Sequence, residues 1–191
     1  MIRIIAGRAK GRRLHTPPGQ HSRPTAARVR QTLFDILAPR LPGCRFLDAC
    51  AGSGAIGLEA LSRGAARVVL VETDAAALQA IRENAKLLAG EAGEVEVLRQ
   101  DARIALPTLA ERGRRFDVIY LDPPYASDLY EPLLQAIARG GLLEEGGVVV
   151  AEHFKKRALP ETIDGLSQTR GVRVGDHALG FYAWREGGSA S

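Results

Sequence analysis

Cysteine is scarce in this chain of 191 residues, in which Cys44 and Cys50 stand alone. Two cysteines exclude a disulfide framework and a thiolate zinc site, and the four histidines are scattered without metal-ligand spacing. No apolar run approaches the roughly 20 residues of a membrane span. The basic amino terminus also lacks the apolar segment of a signal peptide. We therefore expect a cytoplasmic protein with no membrane partner.

Acidic residues are absent from the first 30 positions, although the chain as a whole has a net charge of +4. The rest of the chain is net acidic. A basic segment on an acidic body indicates a polyanionic partner that is met at one end. The eight basic residues of this segment are Arg3, Arg8, Lys10, Arg12, Arg13, Arg23, Arg28 and Arg30.

The hydrophobic pattern from residue 44 onward alternates between strand and helix periodicity. Predicted strands cover residues 45–49, 68–72, 95–99, 116–121 and 147–152, and two more lie within 169–184. Predicted helices cover 26–37, 74–88, 102–111 and 129–139, and another runs from the loop at 51–54 to about residue 63. This order predicts an α/β fold of the Rossmann-like type. Its seven-stranded, mostly parallel sheet carries helices on both faces and a site at the strand carboxyl ends.

The amino-terminal region is predicted to be a small addition to this fold. Residues 1–14 contain two short strand-like pieces that flank Gly7 and Gly11, which indicates a basic β-hairpin. Thr25 is the expected N-cap of the helix that follows. The predicted organisation is a hairpin extension at 1–22, the main domain at 23–186 and a flexible tail at 187–191.

A glycine loop joins the first predicted strand to its helix. Gly52 and Gly54 permit a tight turn and let a ligand approach the backbone, and Gly57 allows the helix to pack closely on the sheet. The three glycines also satisfy the dinucleotide pattern G-x-G-x-x-G. The loop alone therefore fits either a nicotinamide dinucleotide or S-adenosylmethionine.

Acidic residues at the strand ends favour S-adenosylmethionine. Asp48 lies beside the glycine loop, where its charge would repel a pyrophosphate and attract an ammonium or sulfonium group. Glu72 suits ribose hydroxyls, and Asp101 suits an adenine amine or, alternatively, a helix N-cap. The predicted cofactor-binding residues are Asp48, Ala51, Gly52, Ser53, Gly54, Glu72, Thr73, Asp101, Ala102 and Asp122, and the product would be S-adenosylhomocysteine.

A stiff corner follows the predicted strand 116–121. Its two prolines fix their own φ angles, donate no backbone hydrogen bond and hold the preceding residues extended. A carboxylate, proline carbonyls and an aromatic plane suit an exocyclic amine on a flat base, although a plain rigid turn also fits. The corner resembles the Asp-Pro-Pro-Tyr signature of amino-group methyltransferases that act on nucleic acid bases. The predicted catalytic residues are Asp122, Pro123, Pro124 and Tyr125.

With these motifs combined, the chain resembles class I S-adenosylmethionine-dependent methyltransferases and, more closely, the RsmD family. Residues that carry the resemblance are found at 3–7, 11–14, 23–25, 28–34, 52–55, 59–65, 71–72, 84, 122–125 and 180–182. One departure is Ala49-Cys50, where a bulkier residue is expected before the loop. The resemblance implies a monomer that methylates the N2 amine of one guanine, of the guanine 966 type, in the 16S rRNA of an assembling small ribosomal subunit.

The expected chemistry depends on positioning. The lone pair of an exocyclic amine is delocalised into the ring, and hydrogen bonds to Asp122 and a Pro123 carbonyl would turn it toward the methyl group. Tyr125 would hold the plane of an unstacked base, and the transfer needs no metal. The basic residues listed above would contact RNA phosphates, which position the RNA but do not select its sequence.

Other interpretations stay open at the level of sequence. A DNA adenine-N6 or cytosine-N4 methyltransferase fits the proline corner equally well, although no sizeable target-recognition domain is evident. A nicotinamide-dependent oxidoreductase fits the glycine loop but not Asp48. A non-catalytic RNA-binding assembly factor fits the basic segment, although the intact Asp122 and Glu72 argue against it.

Overall fold

The computed structural model describes residues 2–17, 24–88, 93–124 and 127–185, except for the side chains of Pro24 and Thr25. Three predictions fall outside these ranges, namely Arg23 as an RNA contact, Tyr125 as part of the catalytic corner, and the tail at 187–191. Within the described ranges, no helix is long and apolar enough to cross a membrane.

Strands and helices alternate along the chain as the periodicity predicted. The strands are β1 (Ile2–Arg3), β2 (Arg13–Leu14), β3 (Arg45–Asp48), β4 (Arg67–Glu72), β5 (Glu94–Arg99), β6 (Phe116–Leu121), β7 (Leu143–Phe154), β8 (Thr162–Ile163), β9 (Leu166–Val174) and β10 (His177–Trp184). The helices are α1 (Pro24–Leu37), α2 (Ala55–Ser62), α3 (Ala75–Leu87), α4 (Ala102–Glu111) and α5 (Tyr130–Arg139), and a 3-10 turn (Ala38–Arg40) follows α1.

The main sheet has the strand order β5-β4-β3-β6-β7-β10-β9-β8. The first five of these strands run parallel to one another, and the last three pair antiparallel with their neighbours. All seven strands expected for this sheet are present, and the two-residue β8 is an addition. Because β4 and β6 lie on opposite sides of β3, the topological switch point falls between β3 and β6. Open α/β sheets bind ligands beside such a point, at the strand carboxyl ends.

Two details differ from the sequence-based expectations. Helix α1 begins at Pro24, so Thr25 lies within its first turn and is not the N-cap. The physical reason is that proline, with its fixed φ and missing N–H, suits the first helical position. Strand β7 runs from Leu143 to Phe154, beyond the predicted 147–152 at both ends. Its start is earlier because its pairing with β6 continues through a register shift, and its end is later because Phe154 pairs with His177 of β10.

Two apolar layers enclose the sheet. Helices α1, α2 and α3 cover one face with a core that includes Leu33, Leu58 and Ile81. Helices α4 and α5 cover the other with a core that includes Leu106 and Leu133. Alternate residues of each strand therefore belong to different cores. This alternation decides which strand-end side chains share a face.

The amino-terminal strands form the expected hairpin, with Ile2 opposite Leu14. The turn between them contains Gly7 at a φ of +83° and Gly11 at a φ of +84°. These left-handed conformations are readily adopted by glycine alone. The hairpin region is part of the packed molecule, since Ile4, Ala9 and Leu14 belong to the core beneath α1–α3.

Candidate active site

Four carboxylates lie along the carboxyl edge of the parallel strands. Glu72 ends β4, Asp48 ends β3, Asp122 follows β6, and Glu152 lies near the end of β7. In each strand the residue two positions earlier belongs to the core beneath α1–α3, so all four carboxylates are on that face. The sequence predicted three of them, and the fold places Glu152 beside them. Among the described side chains, none form a group suited to a metal ion.

Asp48 is the most deeply buried member of this row, with 1% of its surface exposed. The N–H of Gly57 donates to its Oδ2 at 3.2 Å. Among the described residues its Oδ1 has no partner with good hydrogen-bond geometry, although the backbone N–H of Cys50 is near enough to the carboxylate to lower its pKa. Burial raises the pKa of Asp48 to about 7, and the charge of Glu72 adds to the shift. A buried oxygen without a donor carries a desolvation cost that a positively charged ligand would offset.

The glycine loop is held in a fixed position by Glu72. Its Oε2 accepts the N–H of Gly52 at 2.8 Å, and its Oε1 accepts the N–H groups of Thr73 at 2.7 Å and Asp74 at 2.9 Å. A carboxylate oxygen can accept a second hydrogen bond, so these contacts are compatible with a ligand hydroxyl. The two elements that the sequence assigned to one cofactor therefore touch each other.

Glycine is required at two further points of this segment. Gly54 has a φ of +76° at the start of α2. A Cβ on Gly57 would lie 2.3 Å from Leu70 Cδ2. The close packing of α2 on β4, predicted from the sequence, therefore depends on Gly57, and it brings the start of the helix against the end of β3.

Asp101 caps α4, as one of its two predicted roles required. Its carboxylate accepts the backbone N–H of Arg103 at 2.8 Å and pairs with the Arg103 guanidinium, also at 2.8 Å. The pKa of Asp101 is lowered, first by the hydrogen bond from the Arg103 side chain. The carboxylate is therefore ionised and already engaged, with Ala102 next to it at the first position of the helix.

One carbonyl of the proline corner has only a long, weak contact with a described donor. The carbonyl of Pro124 accepts both the N–H of Ser127 at 2.8 Å and its hydroxyl at 2.6 Å. The carbonyl of Pro123 is approached by the Tyr130 hydroxyl at 3.5 Å, but that hydroxyl makes a shorter bond of 2.8 Å to the carbonyl of Glu152. Pro123 is therefore the better acceptor for a ligand amine.

Asp122 stands between two other acids. Its pKa is raised well above the usual value, first by burial and then by the charges of Glu152 and Asp48. A cation bound beside this row would lower the pKa again, because an opposite charge favours the ionised form. The charge of Asp122 is therefore sensitive to what the site contains.

Glu152 is held from two sides. The hydroxyl of Tyr120 donates to its Oε2, and Nδ1 of His177 lies 2.9 Å from its Oε1. Burial, followed by the charge of Glu152, raises the pKa of Tyr120 well above 10, so this hydroxyl keeps its proton and acts as a donor. Glu152 was not predicted as a site residue, although it ends the predicted strand 147–152 and the other three acids also lie at or beside strand ends.

Three buried side chains fasten the amino-terminal segment to α2 and α3. Glu59 accepts the N–H groups of Ile5 at 2.7 Å and Ala6 at 3.0 Å. The hydroxyl of Ser62 accepts the N–H of Ala9 at 3.0 Å and donates to the carbonyl of Ala6 at 2.7 Å. These contacts join the basic segment to the helix that follows the glycine loop.

Asn84 on α3 completes the attachment. Its Oδ1 accepts the N–H of His15 at 2.7 Å, while its Nδ2 donates to the carbonyls of His15 at 2.9 Å and Ser53 at 3.1 Å. Asn84 is fully buried. One side chain thus links the glycine loop to the end of the basic segment.

Most of the predicted RNA-binding side chains are on the surface. Among the described residues, no partner is found for the exposed side chains of Arg8, Lys10, Arg13 and Arg28. Arg3 donates to the carbonyl of Gly11 at 3.3 Å, and Arg12 donates to the carbonyl of Leu87.

Arg30 is an exception. It is 9% exposed, and its Nη2 donates to the carbonyl of Arg3 at 2.7 Å. The prediction of Arg30 as a phosphate contact is therefore corrected, because its guanidinium is inside the molecule, where it holds the amino-terminal strand.

Comparison with known proteins agrees with this geometry. A hypothetical protein of Thermus thermophilus, whose structure is solved, is 37% identical, covers 95% of this chain and 98% of its own, and gives a TM-score of 0.81. The 16S rRNA N2 G1207 methyltransferase RsmC of Thermus thermophilus, solved with AdoMet and guanosine, has a TM-score of 0.67 over 88% of this chain and 44% of its own. At 23% identity, RsmC shows the fold alone. The chain has the class I methyltransferase fold.

Sequence relatives define the family within that class. The chain matches the family described as Conserved hypothetical protein 95 over residues 2–183, and it belongs to this family, the RsmD family. It is 36% identical over 181 residues to the ribosomal RNA small subunit methyltransferase D of Escherichia coli K12, covering 95% of this chain and 89% of that protein. It is 39% identical over 184 residues to YlbH of Bacillus subtilis, covering 96% of this chain and 100% of YlbH.

Proposed function

We propose that this protein transfers a methyl group from S-adenosylmethionine to the N2 amine of a guanine in the 16S rRNA of the small ribosomal subunit. The Escherichia coli relative is named a small subunit rRNA methyltransferase, which supports the substrate class. The observation that carries the proposal is the meeting of two elements at the switch point between β3 and β6. The glycine loop with Asp48 lies on one side, and the Asp-Pro-Pro corner lies on the other.

The residues at the carboxyl edge fit the proposed cofactor. S-adenosylmethionine supplies an electrophilic methyl group on a positively charged sulfur. The buried Oδ1 of Asp48, which has no well-formed hydrogen bond among the described residues, suits a positive charge of this kind. Glu72, which already accepts the N–H of Gly52, would accept ribose hydroxyls. The proposed cofactor contacts also include Ala51, Ser53, Gly54, Thr73, Asp101 and Ala102.

The proline corner fits the amine. Asp122 and the Pro123 carbonyl would each accept one hydrogen of the amine, which directs its lone pair away from the ring plane. Once the nitrogen is methylated, its extra proton passes to a nearby acceptor, and the Asp122 carboxylate is suited to receive it. Pro124 contributes stiffness, since its carbonyl is bound to Ser127.

The amino-terminal segment fits the RNA backbone. Arg3, Arg8, Lys10, Arg12, Arg13 and Arg28 lie at the surface, on or near the segment that Asn84 joins to the glycine loop. Phosphate contacts of this kind give affinity and orientation, and they make binding salt-dependent. We further propose that the enzyme acts as a monomer on the small subunit or its assembly intermediate.

The direct test is transfer of labelled methyl groups to small ribosomal subunits that lack their base methylations. We expect label in N2-methylguanosine after digestion of the RNA, and its loss with Asp122→Ala. A thermal shift with S-adenosylmethionine, and none with NAD, should accompany transfer. Stable cofactor binding without label on any RNA would contradict the rRNA proposal and lead to DNA substrates.

A further inference from the structure

The carboxylate of Glu152 lies next to the proline corner. Leu121 of β6 pairs with Ala151 of β7, so the next residues, Asp122 and Glu152, are neighbours across the two strands. The Tyr130 hydroxyl approaches the backbone carbonyls of both Glu152 and Pro123. Glu152 therefore belongs to the wall of the site in which the target amine is proposed to lie.

Two neighbouring side chains hold the carboxylate of Glu152 in place. The Tyr120 hydroxyl donates to one oxygen, and the His177 ring nitrogen lies 2.9 Å from the other. Both contacts also fix the orientation of the side chain. A carboxylate has about four lone-pair positions, so it is able to accept hydrogen bonds from a ligand as well as from the protein. Two neighbouring carboxylates thus present a wall that accepts hydrogen bonds.

Guanine matches such a wall better than other bases do. Its N2 amine and its N1–H are adjacent donors on one edge. Adenine presents a donor amine beside N1, and cytosine a donor amine beside N3, and both ring nitrogens are acceptors. A ring nitrogen lone pair that faces a buried carboxylate is repelled and leaves both groups without a hydrogen bond.

We propose that Glu152 accepts the N1–H of the target guanine while Asp122 accepts from its N2 amine, so that Glu152 is a specificity-determining residue. This inference rests on the function proposed above and adds to it the residue that distinguishes guanine from bases with an acceptor at that ring position. In an unstacked base this edge is the part that enzymes read by hydrogen bonding.

The test uses a base that differs from guanine at the relevant atom. In 2-aminopurine the amine at C2 is kept, but N1 carries no hydrogen and is an acceptor. Small subunits would be reconstituted with guanosine or 2-aminopurine riboside at the methylated position, and kcat/KM measured with labelled S-adenosylmethionine. For the native enzyme we expect 2-aminopurine to be slower by at least about 100-fold, because sites that hydrogen-bond a substrate N–H reject analogues without it by up to about 10⁴–10⁵-fold.

Glu152→Gln reverses the match, because its amide can donate to the bare N1. We expect this variant to lose about 100-fold on guanosine and to bring the two substrates within about tenfold of each other. 2-Aminopurine also lacks O6, but that loss affects the native enzyme and the variant alike. It therefore cancels when the preference of the native enzyme for guanosine is divided by that of the variant. Tyr120→Phe is the matched control, since it removes a donor to Glu152 but keeps the carboxylate, and it should retain the native preference for guanosine.

Four results would overturn the proposal. Equal use of both bases by the native enzyme would do so even if Glu152→Gln failed to fold. An equal loss on both bases in Glu152→Gln would show that Glu152 is a structural residue only. If that variant kept its activity on guanosine and its preference for guanosine over 2-aminopurine, both the N1–H and the N2 amine would be assigned to Asp122. Absence of any transfer to guanosine by the native enzyme would reject the proposed function itself, and with it the role of Glu152.

Discussion

The side-chain amide of Asn84 forms hydrogen bonds with both backbone groups of His15, and with the same nitrogen it also binds the carbonyl of Ser53. Both polar atoms of this amide are used, in a fully buried position. The end of the basic segment and the glycine loop therefore share one anchor. A disturbance of either side is transmitted to the other through a single residue.

Asn84→Ala should lower both stability and cofactor affinity. It leaves three backbone groups without their partner, and the loss of a buried partner typically costs about 1–3 kcal/mol. Urea unfolding and calorimetry with S-adenosylmethionine would measure the two effects. Gln79→Ala is the control on the same helix, because Gln79 bonds Glu83 on the surface and its loss should cost less than about 0.5 kcal/mol. Equal effects of the two variants would contradict the anchoring role.

Gly7→Ala should be far more harmful than Gly11→Ala. Both glycines have nearly the same positive φ, so each alanine carries a similar backbone strain of about 1–2 kcal/mol. A Cβ on Gly7 would also lie 1.9 Å from the Ser62 carbonyl oxygen, whereas none of the described atoms lies within 4 Å of a Cβ on Gly11. Urea unfolding and limited proteolysis of the amino-terminal segment would compare the variants. Similar behaviour would show that the contact with Ser62 is dispensable.

Asp48→Asn should stabilise the ligand-free protein at high pH. The pKa of Asp48 rises from 3.8 to about 7 on folding, so the folded state holds a proton that the unfolded state releases. Stability is therefore lost as pH rises from about 4 through 7, and the variant, which cannot ionise, avoids a loss of up to about 4 kcal/mol at pH 8. Urea unfolding at pH 5 and pH 8 would measure the difference.

Asp117→Asn provides a control of opposite sign. The hydrogen bond from the Arg45 side chain lowers the pKa of Asp117, so its ionised form stabilises the folded state. This variant should be destabilised at pH 8, and the deficit should shrink as pH falls through the acidic range. The same direction of change in both variants would contradict the assigned environments.

Binding of S-adenosylmethionine should release protons near neutral pH. A cationic ligand favours the ionised form of Asp48, so affinity should rise with pH up to about 7, by at most about tenfold per pH unit for each linked proton. Calorimetry in buffers with different ionisation enthalpies would count the protons. S-adenosylhomocysteine lacks the sulfonium charge and should show a weaker dependence. A pH-independent affinity for S-adenosylmethionine would contradict the proposed role of Asp48.

The affinity for RNA should fall steeply as the salt concentration rises, and removing single arginines should make that fall less steep. Arg8→Ala and Arg13→Ala should each reduce the slope of log affinity against log salt concentration by about 1 if each side chain contacts one phosphate. Arg139→Ala is the control, because Arg139 pairs with Asp164 at 2.9 Å on α5, which covers the opposite face of the sheet. Filter binding to small subunits over a range of salt concentrations would measure the slopes.

The sequence predicted the parts of the site that depend on strand order. Asp48 and Glu72 end their strands and Asp122 follows its strand, and parallel strands bring their carboxyl ends to one edge. Glu152 also ends a predicted strand, so the same rule applied to it, but it lies in no recognisable motif. Its partners Tyr120 and His177 approach it only through the pairing of β6, β7 and β10, which the local pattern does not reveal.

The errors had signals in the sequence. Arg30 falls at helical spacing with Leu33 and Leu37 and next to Val29, on the buried side of α1. The helical periodicity therefore predicted a buried Arg30 and not an exposed phosphate contact. Pro24 is well suited to the first position of a helix. It therefore indicated that the helix begins before Thr25 and that Thr25 is not its N-cap. The attachment of residues 5–15 to Glu59 and Asn84 had no such signal, because a contact between positions more than 50 residues apart depends on the complete fold.

The same attachment has a consequence for the newly made chain. The groups that hold Ile5 and His15 come 54 and 69 residues later in the sequence. The segment around residues 5–15 therefore leaves the ribosome before α2 and α3 but reaches its final conformation only after α3 has been synthesised. Until then its arginines belong to an unfolded chain, and the ordered basic surface appears together with the glycine loop that it adjoins.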